Sequence, residues 1–209
     1  MCTEKTDWER AVEFHGHVCP GLATGYRVAK IALRELAEGA AADEELVAVV
    51  ENDACGVDAV QVLTGCTLGK GNLIYRDYGK HVFTFISRGS GEAVRISVKA
   101  APRGRSQESG EEEESYRRVR EKVSAGTATP EEREFFRRRQ EERVRHILEA
   151  PEEEFCEVRR VRAELPPKAR IFQSVTCAFC GESVAEARAR IRDGRFACIP
   201  CAGDYSRGW

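Results

Sequence analysis

Three residues that can bind a metal ion or carry a proton lie close together near the start of the chain. The sequence EFHGHVCPGL places His15, His17 and Cys19 directly before a helical pattern that begins at Pro20. Backbone N–H groups at a helix start have no partner within the helix, and they stabilise a thiolate placed there. His17 and Cys19 are two residues apart, so an extended segment puts their side chains on the same side. This spacing predicts a site where imidazole and thiolate groups act together.

A second cysteine repeats this arrangement further along the chain. Cys55 lies in ENDACGVDAV, after a predicted strand and just before Gly56 and a predicted helix. If the two junctions face one another, His17, Cys19 and Cys55 supply three ligands and leave a fourth position for water or substrate. Three protein ligands with one open position are typical of a catalytic metal site. A buried cysteine that only fills space is the competing interpretation.

Residues close to these junctions have more than one predicted role. His15 either orients the neighbouring imidazole from behind or caps the turn. Asp53 and Asp58 flank the second cysteine, and a carboxylate there either carries protons or caps a helix. Cys66, in a glycine-rich loop, is a fourth ligand, a resolving thiol or a structural residue, and we favour the structural role.

Four cysteines near the C-terminus have the spacing of a zinc site. CAFC and CIPC are separated by 17 residues, which gives C-x2-C-x17-C-x2-C. Each C-x2-C turn presents two sulfurs on one side, and two such turns complete a tetrahedron. Four thiolates leave no open coordination position, so we predict a structural zinc in a zinc ribbon or treble clef. The ligands are Cys177, Cys180, Cys198 and Cys201.

The composition limits the classes of function. The 209 residues carry 33 basic and 35 acidic side chains, a formal net charge of −2, which argues against a general binder of polyanions. No apolar run approaches the ~20 residues of a membrane helix, and MCTEKTDWER has no signal-peptide pattern. We therefore expect a cytoplasmic protein without a membrane partner. The nine cysteines are many for that compartment and favour metal binding or thiol chemistry, although Cys2 and Cys156 are expected to be incidental.

The elements that must position these residues predict an α+β fold. We predict helices from Pro20 to Leu36 and over 57–65 and 129–150, strands over 45–52, 81–88 and 93–99, and a zinc-module hairpin turning at Asp193–Gly194. Three domains follow: a mixed α/β core (1–102), a charged helical connector or arm (103–170) and the zinc module (171–209). The connector is either a solvated helical pair or an arm that packs on a second subunit. Nucleic-acid binding is the least favoured interpretation, because acidic residues interleave with the arginines.

Several of these motifs together resemble one known family. FHGHVCPGLATGYRVA, ENDACGVDAVQVLTGCTLGKGNL and GKHVFTF, in this order, are similar to the FmdE family, named after a component of formylmethanofuran dehydrogenase. The resemblance covers nearly the whole chain. It implies an α+β domain joined by a helical segment to a C-terminal zinc finger, and intertwined dimers. It also implies an active-site cleft around the positions of His17, Cys19 and Cys55.

The sequence lacks the parts that the redox reaction of formylmethanofuran dehydrogenase requires. Formylmethanofuran dehydrogenase reduces CO2 onto methanofuran with a molybdenum or tungsten pterin and iron–sulfur clusters. This sequence has no iron–sulfur spacing such as C-x2-C-x2-C-x3-C and no pterin-binding domain. We therefore expect that the chain cannot carry that redox reaction alone.

Our leading hypothesis is a cytoplasmic, homodimeric FmdE-like metal-binding protein with a structural zinc in its C-terminal module. A second divalent metal, with zinc favoured, is bound in the core domain by His17, Cys19 and Cys55, and Asp53 or His15 handles protons. The alternative is an accessory or metal-delivery subunit that docks on a molybdenum or tungsten oxidoreductase without catalysis of its own. Both an enzyme and a non-catalytic subunit are compatible with this sequence.

Overall fold

The computed structural model describes residues 5–99 and 110–204, so Cys2 lies outside the described residues. The chain forms two compact units, Met1–Lys168 and Ala169–Trp209. Helices and a sheet in the first unit confirm the predicted α+β class. The helices are α1 (Asp7–His15), α2 (Pro20–Leu36), α3 (Gly56–Thr64), α4 (Gly110–Ser124), α5 (Pro130–Glu149) and the one-turn α6 (Glu152–Phe155). The strands are β1 (Leu46–Val50), β2 (Leu73–Tyr75), β3 (Val82–Ser87), β4 (Ala93–Val98) and β5 (Cys156–Val161).

The five strands form one mixed sheet in the order β2-β1-β3-β4-β5. β1 and β2 are parallel and are connected through α3, whereas β3, β4 and β5 follow in antiparallel order. The strands predicted over 81–88 and 93–99 are confirmed as β3 and β4, which form an antiparallel hairpin. Within the described residues, no helix is both long enough and apolar enough to cross a bilayer.

The main core lies between one face of the sheet and helices α1, α2 and α3. Because side chains alternate along a strand, Phe83 and Phe85 of β3 point to this face while Ile86 joins a smaller cluster on the other face. The apolar face of α2 covers the main cluster. Its fully or nearly fully buried apolar side chains are Leu22, Ala23, Val28, Ala29, Ile31 and Ala32.

Helices α2 and α3 approach each other through two glycines. A Cβ atom built on Gly25 would lie 1.9 Å from the carbonyl oxygen of Gly56, and one built on Gly56 would lie 2.9 Å from that of Gly21. Contacts this short leave no room for a side chain, so the two backbones touch directly. This contact holds the first turn of α3, and with it the residues beside Cys55, against the first turns of α2.

Helix α1 precedes the predicted elements, and its start has a clear local signal. The side chain of Thr6 accepts a hydrogen bond from the N–H of Glu9, and the Glu9 carboxylate accepts one from the N–H of Thr6. This capping box satisfies two N–H groups that would otherwise lack partners. The helix ends at Gly16, whose φ of 88° lies in the left-handed region that favours glycine.

The charged segment is not helical throughout. α5 is confirmed, with a capping box formed by Thr129 and Glu132. However, Cys156–Val161, inside the segment predicted as a helical connector, forms the edge strand β5 and pairs with β4 in register from Val98↔Cys156 to Ala93↔Val161. The reason is its alternating pattern, because Cys156 and Val158 face the main core while Glu157 and Arg159 point away from it. The predicted division into three domains stays a prediction.

The second unit is small and contains short elements. The Asp193–Gly194 hairpin turn is confirmed, since both residues have positive φ angles, 49° and 70°, as a tight two-residue turn requires. The elements are β6 (Ser174–Thr176), β7 (Ser183–Ala185), a 3₁₀ turn (Glu186–Arg188), β8 (Arg190–Arg192), β9 (Arg195–Ala197) and α7 (Ile199–Ala202).

Candidate metal centres

The turn between α1 and α2 brings His15, His17 and Cys19 together. α1 ends at His15, and the positive φ of Gly16 reverses the chain so that Cys19 caps the start of α2. One ligand atom of each of the three residues lies within 4.8 Å of the others. The two imidazole rings have centroids 4.4 Å apart. Two imidazoles and one thiol in this arrangement have the donor set of a zinc-type site with a free position.

Asp58 orients the imidazole of His15. Its carboxylate oxygen Oδ2 lies 2.7 Å from Nδ1 of His15, and Nε2 of the same ring lies 3.7 Å from Sγ of Cys19. A carboxylate at Nδ1 favours the tautomer with the proton on Nδ1, so the lone pair of Nε2 is free to bind a metal. His15 is therefore a member of the candidate ligand group, and the residue that orients a ligand from behind is Asp58.

The thiol of Cys19 is held at the start of α2. Its Sγ accepts a hydrogen bond from the N–H of Leu22 at 3.3 Å, and the side chain is partly buried. Pro20 occupies the first helical position, where a missing N–H costs no hydrogen bond. The predicted placement of this cysteine at a helix start is confirmed.

Cys55 lies beside this group but does not belong to it. It immediately precedes α3, and its Cβ lies 3.0 Å from the position of a Cβ built on Gly21. Burial raises the pKa of the Cys55 thiol most, and the neighbouring Cys19 raises it further. Cys55 therefore keeps its proton more readily than an exposed cysteine. Among the residues that the structure describes, the group with ligand atoms within 4.8 Å of one another contains His15 and leaves out Cys55.

The remaining predicted residues of this region lie outside the group. Asp53 is exposed. Cys66 is fully buried and its S–H donates to the carbonyl oxygen of Leu46 at 3.3 Å. Burial raises the pKa of Cys66 to about 11 and that of Cys156 to about 11. These two thiols are parts of the packed interior, so they fit structural roles.

The four C-terminal cysteines meet in the second unit. Their ligand atoms all lie within 4.8 Å of one another, and Sγ of Cys180 lies 3.8 Å from Sγ of Cys198. Zinc–sulfur bonds of about 2.3 Å in a tetrahedron place two sulfurs about 3.8 Å apart, so the cluster fits a zinc ion. Three backbone N–H groups lower the pKa of Cys177 to about 6, and the N–H of Cys198 has the largest effect. The lowered pKa favours the thiolate that zinc binds.

Three features together define an FmdE-type protein with a zinc finger. They are the sheet with helices on one face, the His/Cys turn and the separate four-cysteine unit. The chain belongs to the FmdE family: residues 14–157 match the family described as "FmdE, Molybdenum formylmethanofuran dehydrogenase operon". Residues 170–207 match the prokaryotic dksA/traR C4-type zinc finger. The family and the zinc finger predicted from the sequence are confirmed.

Two similar proteins extend this comparison. The chain is 38% identical over 200 residues to a probable S-adenosyl-L-methionine-binding protein of Archaeoglobus fulgidus. The match covers 94% of this chain and 52% of that protein, so the chain spans about half the length of this curated relative. The crystal structure of an FmdE-like protein of the tungsten formylmethanofuran dehydrogenase type, from Syntrophus aciditrophicus, is 27% identical. It matches with a TM-score of 0.61 over 93% of this chain and 89% of that chain.

Proposed function

We propose that the core unit binds a divalent metal ion, with zinc favoured, through His15, His17 and Cys19. The observation that carries this proposal is the convergence of their ligand atoms within 4.8 Å at the turn between α1 and α2. Such an ion, once bound, supplies a Lewis acid. Three protein ligands leave one coordination position for water or a carbonyl-type substrate, unlike the closed four-cysteine site.

The residues around the group have distinct tasks in this proposal. Asp58 holds the His15 ring and its Nδ1 proton in place. Cys55 lies next to Cys19, and burial, followed by the neighbouring Cys19, raises the pKa of its thiol. The predicted ligand set of His17, Cys19 and Cys55 stays a prediction, and it requires the two junctions to close together. Asp53 stays a predicted proton carrier, and its side chain is exposed.

A second candidate function is metal delivery or docking without catalysis. The exposure of His17 favours it, because a ligand open to solvent lets an ion exchange. In this interpretation the protein is an accessory subunit of a molybdenum or tungsten oxidoreductase, in line with the description of its family. We also propose, from the family resemblance, that the chain works as a cytoplasmic homodimer. Sedimentation of the purified protein at micromolar concentration tests the dimer.

The test of the core site is the metal content of the full chain. Elemental analysis of the wild type is expected to give two ions per chain. His17→Ala and Cys19→Ser should each remove about one ion, and Cys180→Ser should remove the other. His81→Ala is the matched control for His17→Ala, since His81 is also an exposed histidine but lies outside the group. A single ion per chain that persists in His17→Ala and Cys19→Ser contradicts the core site.

The strength of metal binding separates the two candidate functions. A catalytic ion should remain bound during gel filtration with a chelator, whereas a delivery site should release its ion and accept it again. Calorimetric titration of the metal-loaded chain with S-adenosyl-L-methionine tests the ligand that the name of the Archaeoglobus fulgidus relative suggests.

A further inference from the structure

A pocket of about 660 Å³ lies in the first unit and is not lined by any residue of the His/Cys group. Its size is in the usual range for a small-molecule site. The sheet contributes the start of β3 and the end of β4, and α5 and α6 contribute the opposite wall. Lys80, His81, Lys99, Arg143, His146 and Glu154 line the mouth of the pocket. Val82, Val98, Ile147 and Phe155 form its floor.

The floor of the pocket is apolar. Val82 and Phe155 are buried, and Val98 and Ile147 are partly buried and pack against the main core. The guanidinium of Arg27 covers one face of the Phe155 ring at 4.4 Å from its centroid. A flat or branched apolar group can therefore rest on this floor without exposing it to water.

The mouth of the pocket carries an excess of positive charge. Lys80, Lys99 and Arg143 are exposed, and none of them pairs with a carboxylate in the part of the chain that the structure describes. Lys99 donates to the backbone carbonyl of Glu153, and Arg143 donates to the hydroxyl of Tyr116. Among the described residues, these two contacts of Lys99 and Arg143 are therefore with uncharged groups.

Few of the described residues that line the pocket are negative. The C-terminal carbonyls of α5 would repel an anion, but Nη1 of Arg27 binds those of Ile147 and Ala150 at 2.7 Å each. Glu154 is the only carboxylate among the described lining residues, against three permanent cations. His81 and His146 add two further groups that can donate a hydrogen bond. The mouth therefore favours an anion.

We propose that this pocket binds a small organic anion that combines an apolar, ring-like body with a phosphate, sulfonate or carboxylate group. The body rests on Val82, Ile147 and Phe155, and the anionic group lies between Lys80 and Arg143. Lysine and arginine side chains form their strongest hydrogen bonds with such charged acceptors. This site is separate from the proposed metal site and does not depend on it.

The test uses the full chain and 1-anilinonaphthalene-8-sulfonate, a fluorescent anion with an aromatic body. Titration should give saturable binding, and Lys80→Gln and Arg143→Gln should each raise its Kd roughly threefold to tenfold, the loss of one charge-assisted hydrogen bond. Arg145→Gln is the matched control: Arg145 is exposed on the same helix and carries the same charge, but it does not line the pocket. The control should bind like the wild type.

Competition separates the parts of the ligand. Adenosine 5′-monophosphate should displace the dye at lower concentration than either adenosine or inorganic phosphate, because only the nucleotide has both an apolar body and a charge. The proposal is overturned if the Lys80→Gln and Arg143→Gln variants bind the dye as the Arg145→Gln control does. It is also overturned if uncharged adenosine displaces the dye as well as the nucleotide does.

Discussion

The imidazole of His15 and the carboxylate of Asp58 lie 2.7 Å apart, although 43 positions separate them in the chain. The contact joins the last residue of α1 to the first turn of α3. The orientation of the His15 ring thus depends on how these helices pack, and the packing of α3 depends in turn on the contact between Gly25 and Gly56.

Replacement of Asp58 should weaken metal binding at the core site. In Asp58→Asn the carboxylate that fixes the His15 ring is lost, and losses of this kind reduce metal affinity by roughly 10–100-fold. Competition with a chromophoric chelator measures the affinity. Asp53→Asn makes the same chemical change at an exposed position nearby and should leave the affinity unchanged. Equal affinities of the two variants would show that Asp58 does not support a metal ligand.

Replacement of Gly25 should destabilise the first unit. A Cβ in Gly25→Ala would lie 1.9 Å from the carbonyl oxygen of Gly56, so the two helices must separate. We expect a loss of about 3 kcal/mol in the free energy of unfolding, the upper end of overpacking costs. Gly39→Ala is the control because nothing lies within 4 Å of its added methyl group. Urea unfolding compares them, and a Gly25→Ala chain as stable as Gly39→Ala would refute the direct backbone contact.

Cys66 should resist alkylation in the folded chain. Burial raises its pKa from 9 to about 11, so it keeps its proton at pH values where an unfolded cysteine has already ionised. The protonated thiol of Cys66 stabilises the folded state below pH 9. This contribution to the free energy of unfolding is lost as the pH rises from about 9 through about 11. Iodoacetamide labelling at pH 8.5, read by mass spectrometry, should modify Cys66 only after denaturation. Rapid labelling without denaturant would argue against its burial.

Loss of one finger cysteine should unfold the second unit alone. Cys201→Ser removes one of four zinc ligands, and small zinc modules fold only with their metal. Hydrogen exchange should show lost protection in β6 to β9, while strands β1, β3 and β4 keep theirs and serve as the internal control. Retained protection around Cys177 and Cys198 would mean that the finger folds without its zinc.

The long elements could be predicted from the sequence because their patterns are local. Leu22, Tyr26, Ala29 and Leu33 repeat at helical spacing in α2, and alternation marks β3 and β4. The three-residue strand β2 offers too short a pattern. In β5 the apolar alternation is short and charged residues surround it, so the segment resembles the helices before it. The start of α1 does carry a local signal, the capping box of Thr6 and Glu9.

The composition of the core site could be predicted only in part. His17 and Cys19 follow from their spacing, and the structure adds His15 to them. Membership of His15 requires that α1 end at Gly16 with a left-handed φ, and its pairing with Asp58 requires α3 to pack against α1. Such contacts between distant segments leave no periodic signal in the sequence. The four finger cysteines were predictable because spacing alone brings each pair together.

The pairing of β4 with β5 makes the helical segment between them modular. The N–H of Lys99 donates to the carbonyl of Phe155 at 2.9 Å, and Val98 pairs with Cys156, so the segment leaves and rejoins the sheet at neighbouring points. Topologically it is an insertion into a hairpin, and the entropy of closing such a loop grows only slowly with its length. A change in the length of this segment should therefore leave the register of β4 and β5 unchanged, provided that Ile147 keeps its place against the core.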